Sequence, residues 1–217
     1  MKPILFSTEM VRAILDGRKS MTRRVIRQSV VDRFVLDSRG NLLGSYTEEA
    51  GDAYPTIDDS PYQPGDILWV QETWKVDSLL RDDPSYPMAI DFKAVQDGYS
   101  HAEVMCKFTP GRFDKFEKFY QKPGWQSPYF MPREAARIFL RVTDVRAERV
   151  QEITEEDAWK EGCPEEHIPD KYPRSDVWFY ELWQTLNAKR GYGWYANPWV
   201  WAISFERISK EEAERSV

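Results

Sequence analysis

Between Arg12 and Arg27 the chain gathers Arg12, Arg18, Lys19, Arg23, Arg24 and Arg27, with Asp16 the one acid among them. The densest part is Gly17-Arg18-Lys19-Ser20-Met21-Thr22-Arg23-Arg24. A lysine flanked by arginines in a tight turn has its ammonium form disfavoured by neighbouring positive charge and by any burial. Its amine can then be neutral near physiological pH, and a neutral amine is a usable base. The same residues would also make a solvated basic turn that holds phosphate, or nothing. If Met21 to Val25 is a strand, Thr22 and Arg24 share one face and Lys19 leans from the turn over that side.

Other residue types are weaker candidates. Glu161 stands in the last turn of a predicted helix and reads either as a cleft carboxylate or as a solvated helix end; Glu72, which ends an apolar run, is its rival. Nine tryptophans are many for a chain of 217 residues. Trp178, Trp183, Trp199 and Trp201 fall on core-packing patterns, whereas Trp69, Trp74, Trp125 and Trp194 lie beside loops and could stack on a base. Trp74, directly after the strand that carries Glu72, is the first of these to consider. Cys163 and His167 beside Glu165, Glu166 and Asp170 make at most half a metal site, with His101 and Cys106 far away in sequence. Zinc needs three or four ligands, so no metal and no cofactor are expected. Neither cysteine has a neighbouring histidine that would make a thiolate nucleophile.

The elements that must position these groups follow from spacing. Ser7 caps a helix over residues 8 to 16, with Met10, Val11, Ile14 and Leu15 on one face and Gly17 at its end. Met21 to Ile26 reads as a strand, so Arg18, Lys19 and Ser20 form a helix-to-strand connection. Residues 34 to 43 have a hairpin pattern, and Thr47 to Pro64 is loop-like. Pro64-Gly65-Asp66 turns into the buried strand Ile67 to Val70. Strand-like pieces at Met88 to Ala94 and Ala102 to Phe108 flank the charged stretch Arg112 to Phe119. Arg137 to Val150 alternates as one long strand, and Thr154-Glu155-Glu156-Asp157 starts a helix ending at Gly162. Ser175 begins a helix with Trp178, Phe179, Leu182, Trp183 and Leu186 in a stripe, and a final strand spans Trp199 to Phe205. Residues 209–217 read as a charged, frayed tail.

Composition bounds the rest. Thirty Lys and Arg against 36 Asp and Glu give a formal net charge of -6, which argues against indiscriminate coating of nucleic acid but leaves room for a local basic site. Hydrophobic residues at 41% and aromatics at 14% exclude a disordered chain, and two cysteines exclude a disulfide-stapled miniprotein. No apolar run approaches the roughly 18 residues of a membrane span. The start MKPILFSTEM reaches Glu9 before a signal-peptide core could form, so a cytoplasmic protein with reduced thiols and no membrane partner is expected. Oligomeric state is left open.

The turn Gly17 to Arg24, the run Pro64-Gly65-Asp66-Ile67-Leu68-Trp69-Val70 and the terminal β-run together resemble the ASCH domain, a relative of the PUA-like RNA-binding barrels. Gln71-Glu72-Thr73-Trp74, Tyr129-Phe130-Met131-Pro132-Arg133, Ile153 to Gly162 and Asn197-Pro198-Trp199-Val200-Trp201 make the enlarged phage and prophage branch the most similar. The resemblance implies an α+β fold: a small mixed β-barrel with short helices at its ends. It implies one domain over residues 1–208, with loop-rich insertions at about 29–63 and 75–126, and the host cytoplasm if phage-encoded. It also implies a cleft for a nucleoside or single-stranded nucleic acid, RNA favoured. The small members known as N4-acetylcytidine amidohydrolases carry a proposed lysine, threonine and glutamate set that falls here on Lys19, Thr22 and Glu161. Amide cleavage needs a nucleophile, a base for its proton and a donor for the leaving amine. By that resemblance Lys19 is the base, Thr22 the nucleophile or the group that positions water, and Glu161 the proton shuttle or the partner that orients the lysine. Arg18, Ser20, Arg23, Arg24, Glu72 and Trp74 would bind substrate, with Arg24 or turn N–H groups at the oxyanion. The alternatives are a non-catalytic module that binds RNA or modified DNA and a metal-independent ribonuclease.

Overall fold

Where Gly17 ends the first helix its φ is +75°, a left-handed backbone that glycine adopts without steric cost, and the chain leaves it into the basic turn. The computed structural model describes residues 1–46, 56–80, 85–95, 102–164 and 175–216. Within them the strands are β1 (Lys2–Leu5), β2 (Met21–Val25), β3 (Phe34–Leu36), β4 (Leu42–Ser45), β5 (Ile67–Gln71), β6 (Trp74–Leu79), β7 (Pro87–Phe92), β8 (Ala102–Lys107), β9 (Phe139–Arg149) and β10 (Trp199–Ile208). The α-helices are α1 (Thr8–Leu15), α2 (Gln28–Val31), α3 (Pro110–Glu117), α4 (Glu155–Lys160), α5 (Ser175–Asn187) and α6 (Lys210–Arg215). The fold is mixed α+β, as expected. Its largest sheet has the order β1-β5-β9-β10-β2, beside a β3-β4 hairpin and a β6-β7-β8 meander. Among the described residues these ladders do not close into a barrel. No described helix is long and apolar enough to cross a membrane.

The chain divides into two compact units, and β9 and β10 contribute residues to both. The first holds Met1–Gly17, Ile67–Arg141 and Arg207–Val217. Here β1 runs parallel to β5, and β5 runs antiparallel to the start of β9, with Trp69 opposite Phe139. The segment expected as a loop-rich insertion at 75–126 carries ordered strands with a core of their own. Met88, Ile90 and Phe92 of β7 pack with Trp74, and α3 adds Phe113 and Phe116. Spacing explains the helix: Phe113 and Phe116 fall one turn apart, and Phe119 beyond the helix end continues the same apolar face. Residues 210–215, expected to fray, instead form α6. The Ser209 side chain accepts from the Glu212 backbone N–H at 3.1 Å, Ala213 is buried, and Arg141 donates to Glu212 at 2.6 Å. A cap, a buried alanine and the ion pair to Arg141 tie down a segment whose composition alone looks solvated.

The second unit holds Arg18–Asp66 and Val142–Glu206. β2 pairs antiparallel with β10, Thr22 opposite Ile203 and Arg23 opposite Ala202. The hairpin β3-β4 closes through Asp37, whose carboxylate accepts from the N–H groups of Arg39 and Asn41. Helix α5 packs Phe179 and Trp183 against Val150, Ala158 and Val200. Its buried stripe differs from the expected one: Leu186 is 43% exposed, and the buried positions are Ser175, Phe179, Trp183 and Asn187, the last with a side-chain amide that donates to the Trp183 carbonyl. A polar residue at that position is tolerated because its hydrogen-bonding groups are satisfied along the helix.

Trp74 is fully buried, its indole N–H donating to the Ser127 carbonyl at 3.1 Å and its ring lying 5.2 Å from that of Phe119. It is a core residue of the first unit, which corrects the expectation of a stacking platform. Replacing it with alanine removes both the bond and the ring contacts, so Trp74→Ala lowers unfolding free energy by about 3–5 kcal/mol. Urea denaturation followed by circular dichroism measures this; an unchanged midpoint would contradict the assignment to the core.

Candidate functional site

The basic turn meets the end of α4, and the local sequence explains how. The Thr154 hydroxyl accepts from the Asp157 N–H at 3.1 Å and starts the helix. Glu161 is the C-cap, and Gly162, at φ +101°, ends it. A helix end leaves carbonyls without intrahelical partners, and the turn supplies donors to them in order. The Ser20 N–H donates to the Lys160 carbonyl at 2.9 Å, Lys19 Nζ to the Glu161 carbonyl at 2.9 Å, and Arg18 Nη1 to the Gly162 carbonyl at 2.8 Å. Lys19 and Glu161 thereby form an isolated antiparallel bridge, while the Ser20 carbonyl accepts from the Phe205 N–H of β10.

The Glu161 side chain turns back onto the same turn. Its Oε2 lies 2.6 Å from Lys19 Nζ and its Oε1 3.2 Å from Arg23 Nη1, with all three side chains buried. Arg23 continues the network: its Nε donates to Glu148 at 2.7 Å, its Nη2 to Asp157 at 2.7 Å, and its guanidinium lies 5.6 Å from the Phe179 ring centroid. Half-exposed Arg146 bridges Glu148 and Asp157. Lys19, Arg23 and Arg146 thus balance Glu148, Asp157 and Glu161, and burial without that balance would be costly.

Burial, opposed by Glu161 and reinforced by Arg24 and Arg23, holds the Lys19 amine below its ordinary pKa. Both the direction and the two kinds of cause are those expected from the turn. Thr22, also buried, alternates onto the opposite side of β2 from Arg23. Arg24 lies on the Thr22 side. Burial lowers its pKa while Tyr62 and Glu161 oppose the shift, and burial raises that of the Tyr62 phenol.

The structure therefore brings Arg18, Lys19, Ser20, Arg23 and Glu161 together by direct contact. Glu72 belongs to the other unit, where its fully buried carboxylate is held bidentately by Arg137 at 2.9 and 2.8 Å. Burial raises the Glu72 pKa against the pull of that arginine. Glu148, Arg146 and Asp157 escaped the sequence reading. Arg146 and Glu148 sit two apart on β9, the spacing of one strand face, but only the fold shows what they face. Asp157 reads as a helix-start residue, although its carboxylate points into the network. His101, Glu165, Glu166, His167 and Asp170 of the weak metal reading lie outside the described residues. Cys106 is a buried thiol pushed up to about 12, chiefly by burial, which suits a packing role.

Two outcomes follow. Arg23→Met leaves Glu148, Asp157 and Glu161 short of a shared cation and lowers unfolding free energy by about 3–5 kcal/mol, measured by denaturant titration near neutral pH. An unfolded chain keeps Lys19 near 10.5 while the folded chain holds it lower. Between those values the unfolded state binds more protons, so the Lys19 contribution to stability rises with pH. The stability of the native chain minus that of Lys19→Met should climb through the alkaline window below 10.5; a flat or falling difference would show that Lys19 is not depressed.

No family model matches the chain, and no curated protein matches it. Among solved structures, the crystal structure of protein EF3133 from Enterococcus faecalis V583, described under the family model DUF984, aligns with a TM-score of 0.38 and 11% identity. The alignment covers 94% of this chain and 70% of that one. The candidate site therefore rests on its own geometry.

Proposed function

We propose that the chain is an ASCH-type, PUA-like domain that recognises a nucleobase and hydrolyses the N4-acyl amide of a modified cytidine. The fold reading is supported by local order: α1, the basic turn and β2, the Gly65-Asp66 entry to β5, the long β9 leading to α4, and β10 paired with β2. The observation that carries the chemistry is the 2.6 Å contact between the depressed Lys19 amine and Glu161 Oε2, at the turn that leads into strand β2 with Thr22.

In this reading the Thr22 hydroxyl oxygen attacks the acyl carbonyl carbon as the Lys19 amine takes its proton. Arg24 and N–H groups of the turn meet the oxyanion. The carbon–nitrogen bond then breaks, N4 leaves with a proton delivered from Lys19, Glu161 keeps that side chain oriented, and cytidine is released. Water, deprotonated by Lys19, hydrolyses the threonyl ester to free the carboxylic acid. If Thr22 instead positions that water, the same base and carboxylate serve one direct step.

A second reading, binding without turnover, draws support from the full burial of the Lys19 side chain and its bonds to the end of α4. A lysine so held is also a good structural cap. Turnover of a panel of N4-acylated cytidines separates the two. The first reading expects cytidine from the native chain, a rate that rises with pH as Lys19 loses its proton, and a loss of about 10²–10⁴-fold in Lys19→Arg, which keeps the charge but cannot act as a base. Absence of product from every substrate, with nucleoside binding retained, would favour the binding reading. Cleaved oligonucleotide without added metal would point to the ribonuclease.

A further inference from the structure

The first unit holds a groove that the Lys19 site does not use. It has a volume of about 590 Å³ and lies between the end of β5, one face of α3 with its continuation, and the run Tyr129 to Arg133. That size suits a small organic group or a short polymer segment. The lining contains Arg112, Lys115, Lys118 and Arg133 and no acid, in a chain whose net charge is -6. Helical spacing explains this: Arg112, Lys115, Phe116 and Phe119 recur at three and four residues along one face of α3 and its continuation, whereas Asp114 and Glu117 are absent from the lining. Arg112 is held by Glu134 at 2.9 and 2.5 Å, so the charge that a ligand would meet at the rim comes from Lys115, Lys118 and Arg133.

Aromatic rings extend from the core to the mouth of this groove. Phe116 and Phe119 have centroids 6.1 Å apart, Phe119 and Phe130 6.1 Å, and Phe130 and Tyr129 5.3 Å. The inner pair is buried, while Phe130 is 52% and Tyr129 73% exposed. Phe130 rests against Phe119 of the inner pair and Tyr129 against Phe130, so large apolar surface is kept in water beside the groove. Exposed aromatic patches of this kind mark binding surfaces. Flat π-faces beside lysines, without acids, match the two features of a single strand: unstacked bases and regularly spaced phosphates. A duplex would hide its base faces from these rings.

We propose that this groove binds single-stranded nucleic acid, with Tyr129 and Phe130 stacking bases and Lys115, Lys118 and Arg133 meeting phosphates. It does not rest on the Lys19 chemistry, and either can fail without the other.

The test is fluorescence anisotropy of the full chain with a short labelled oligo(U), over a range of salt. Tyr129→Ala should weaken binding on the order of tenfold without changing the salt dependence. Lys115→Gln with Lys118→Gln should weaken it and make the slope of log affinity against log salt shallower by about 0.7 for each phosphate that is no longer neutralised. These positions are exposed, and circular dichroism of each variant checks that it stays folded. Tyr129→Ala should turn over N4-acylated cytidines like the native chain, which keeps loss of groove binding apart from loss of the Lys19 chemistry. No binding at low salt would overturn the proposal, as would binding that ignores both variants. Equal competition by an acidic peptide would reassign the groove to a protein partner, and equal competition by UMP would reduce it to a mononucleotide site; either result also overturns it.

Discussion

A carboxylate removed from water must find cations, and Glu161 finds two at once. Lys19 takes one oxygen and Arg23 the other, and around that shared group the second unit is organised. Because Arg23 also holds Glu148 and Asp157, the end of α4, the long strand β9 and the strand β2 are tied through a single guanidinium. Arginine suits this position: its planar fork supplies several donors in fixed directions, which a lysine ammonium cannot do. The Phe179 ring of α5 lies against that guanidinium on one side.

The same turn performs a second task that has nothing to do with charge balance. Backbone and side-chain donors of Arg18, Lys19 and Ser20 satisfy successive carbonyls at the end of a six-residue helix. A helix that short has little intrinsic stability and depends on its ends. Lys19 is therefore both a cap and the amine with the depressed pKa, and the two roles explain each other. Capping pulls the ammonium out of water, and desolvation then favours its neutral form.

The first unit solves a different problem. Its meander of β6, β7 and β8 would expose one face without α3, and aromatic side chains fill that space. Aromatic packing extends to the surface at Phe130 and Tyr129 and carries the apolar character of the core into solvent beside a row of cations. Trp74, which in sequence stands beside loops, is taken inward because its indole N–H finds the Ser127 carbonyl there.

Much was determined by sequence alone, wherever the cause lies within a few residues. Ser7 and Gly17 bound α1, Thr154 and Gly162 bound α4, the alternation from Phe139 sets β9, and the arginines crowded about Lys19 mark it as the amine to consider. Capping and strand period act over one or two turns and leave their mark in spacing, whereas the burial that chiefly depresses Lys19 comes from the fold. The tertiary structure alone decided which groups, far apart in the chain, share one space. Glu161 lies 142 positions from Lys19, Glu148 lies 125 from Arg23, and no local rule reports that they meet. It also decided that Trp74 and Glu72 are core groups held by Ser127 and Arg137, that Leu186 faces water, and that the charged end folds into α6. In each case the decision belongs to the partner that burial supplies, and partners are set by packing across the chain rather than along it.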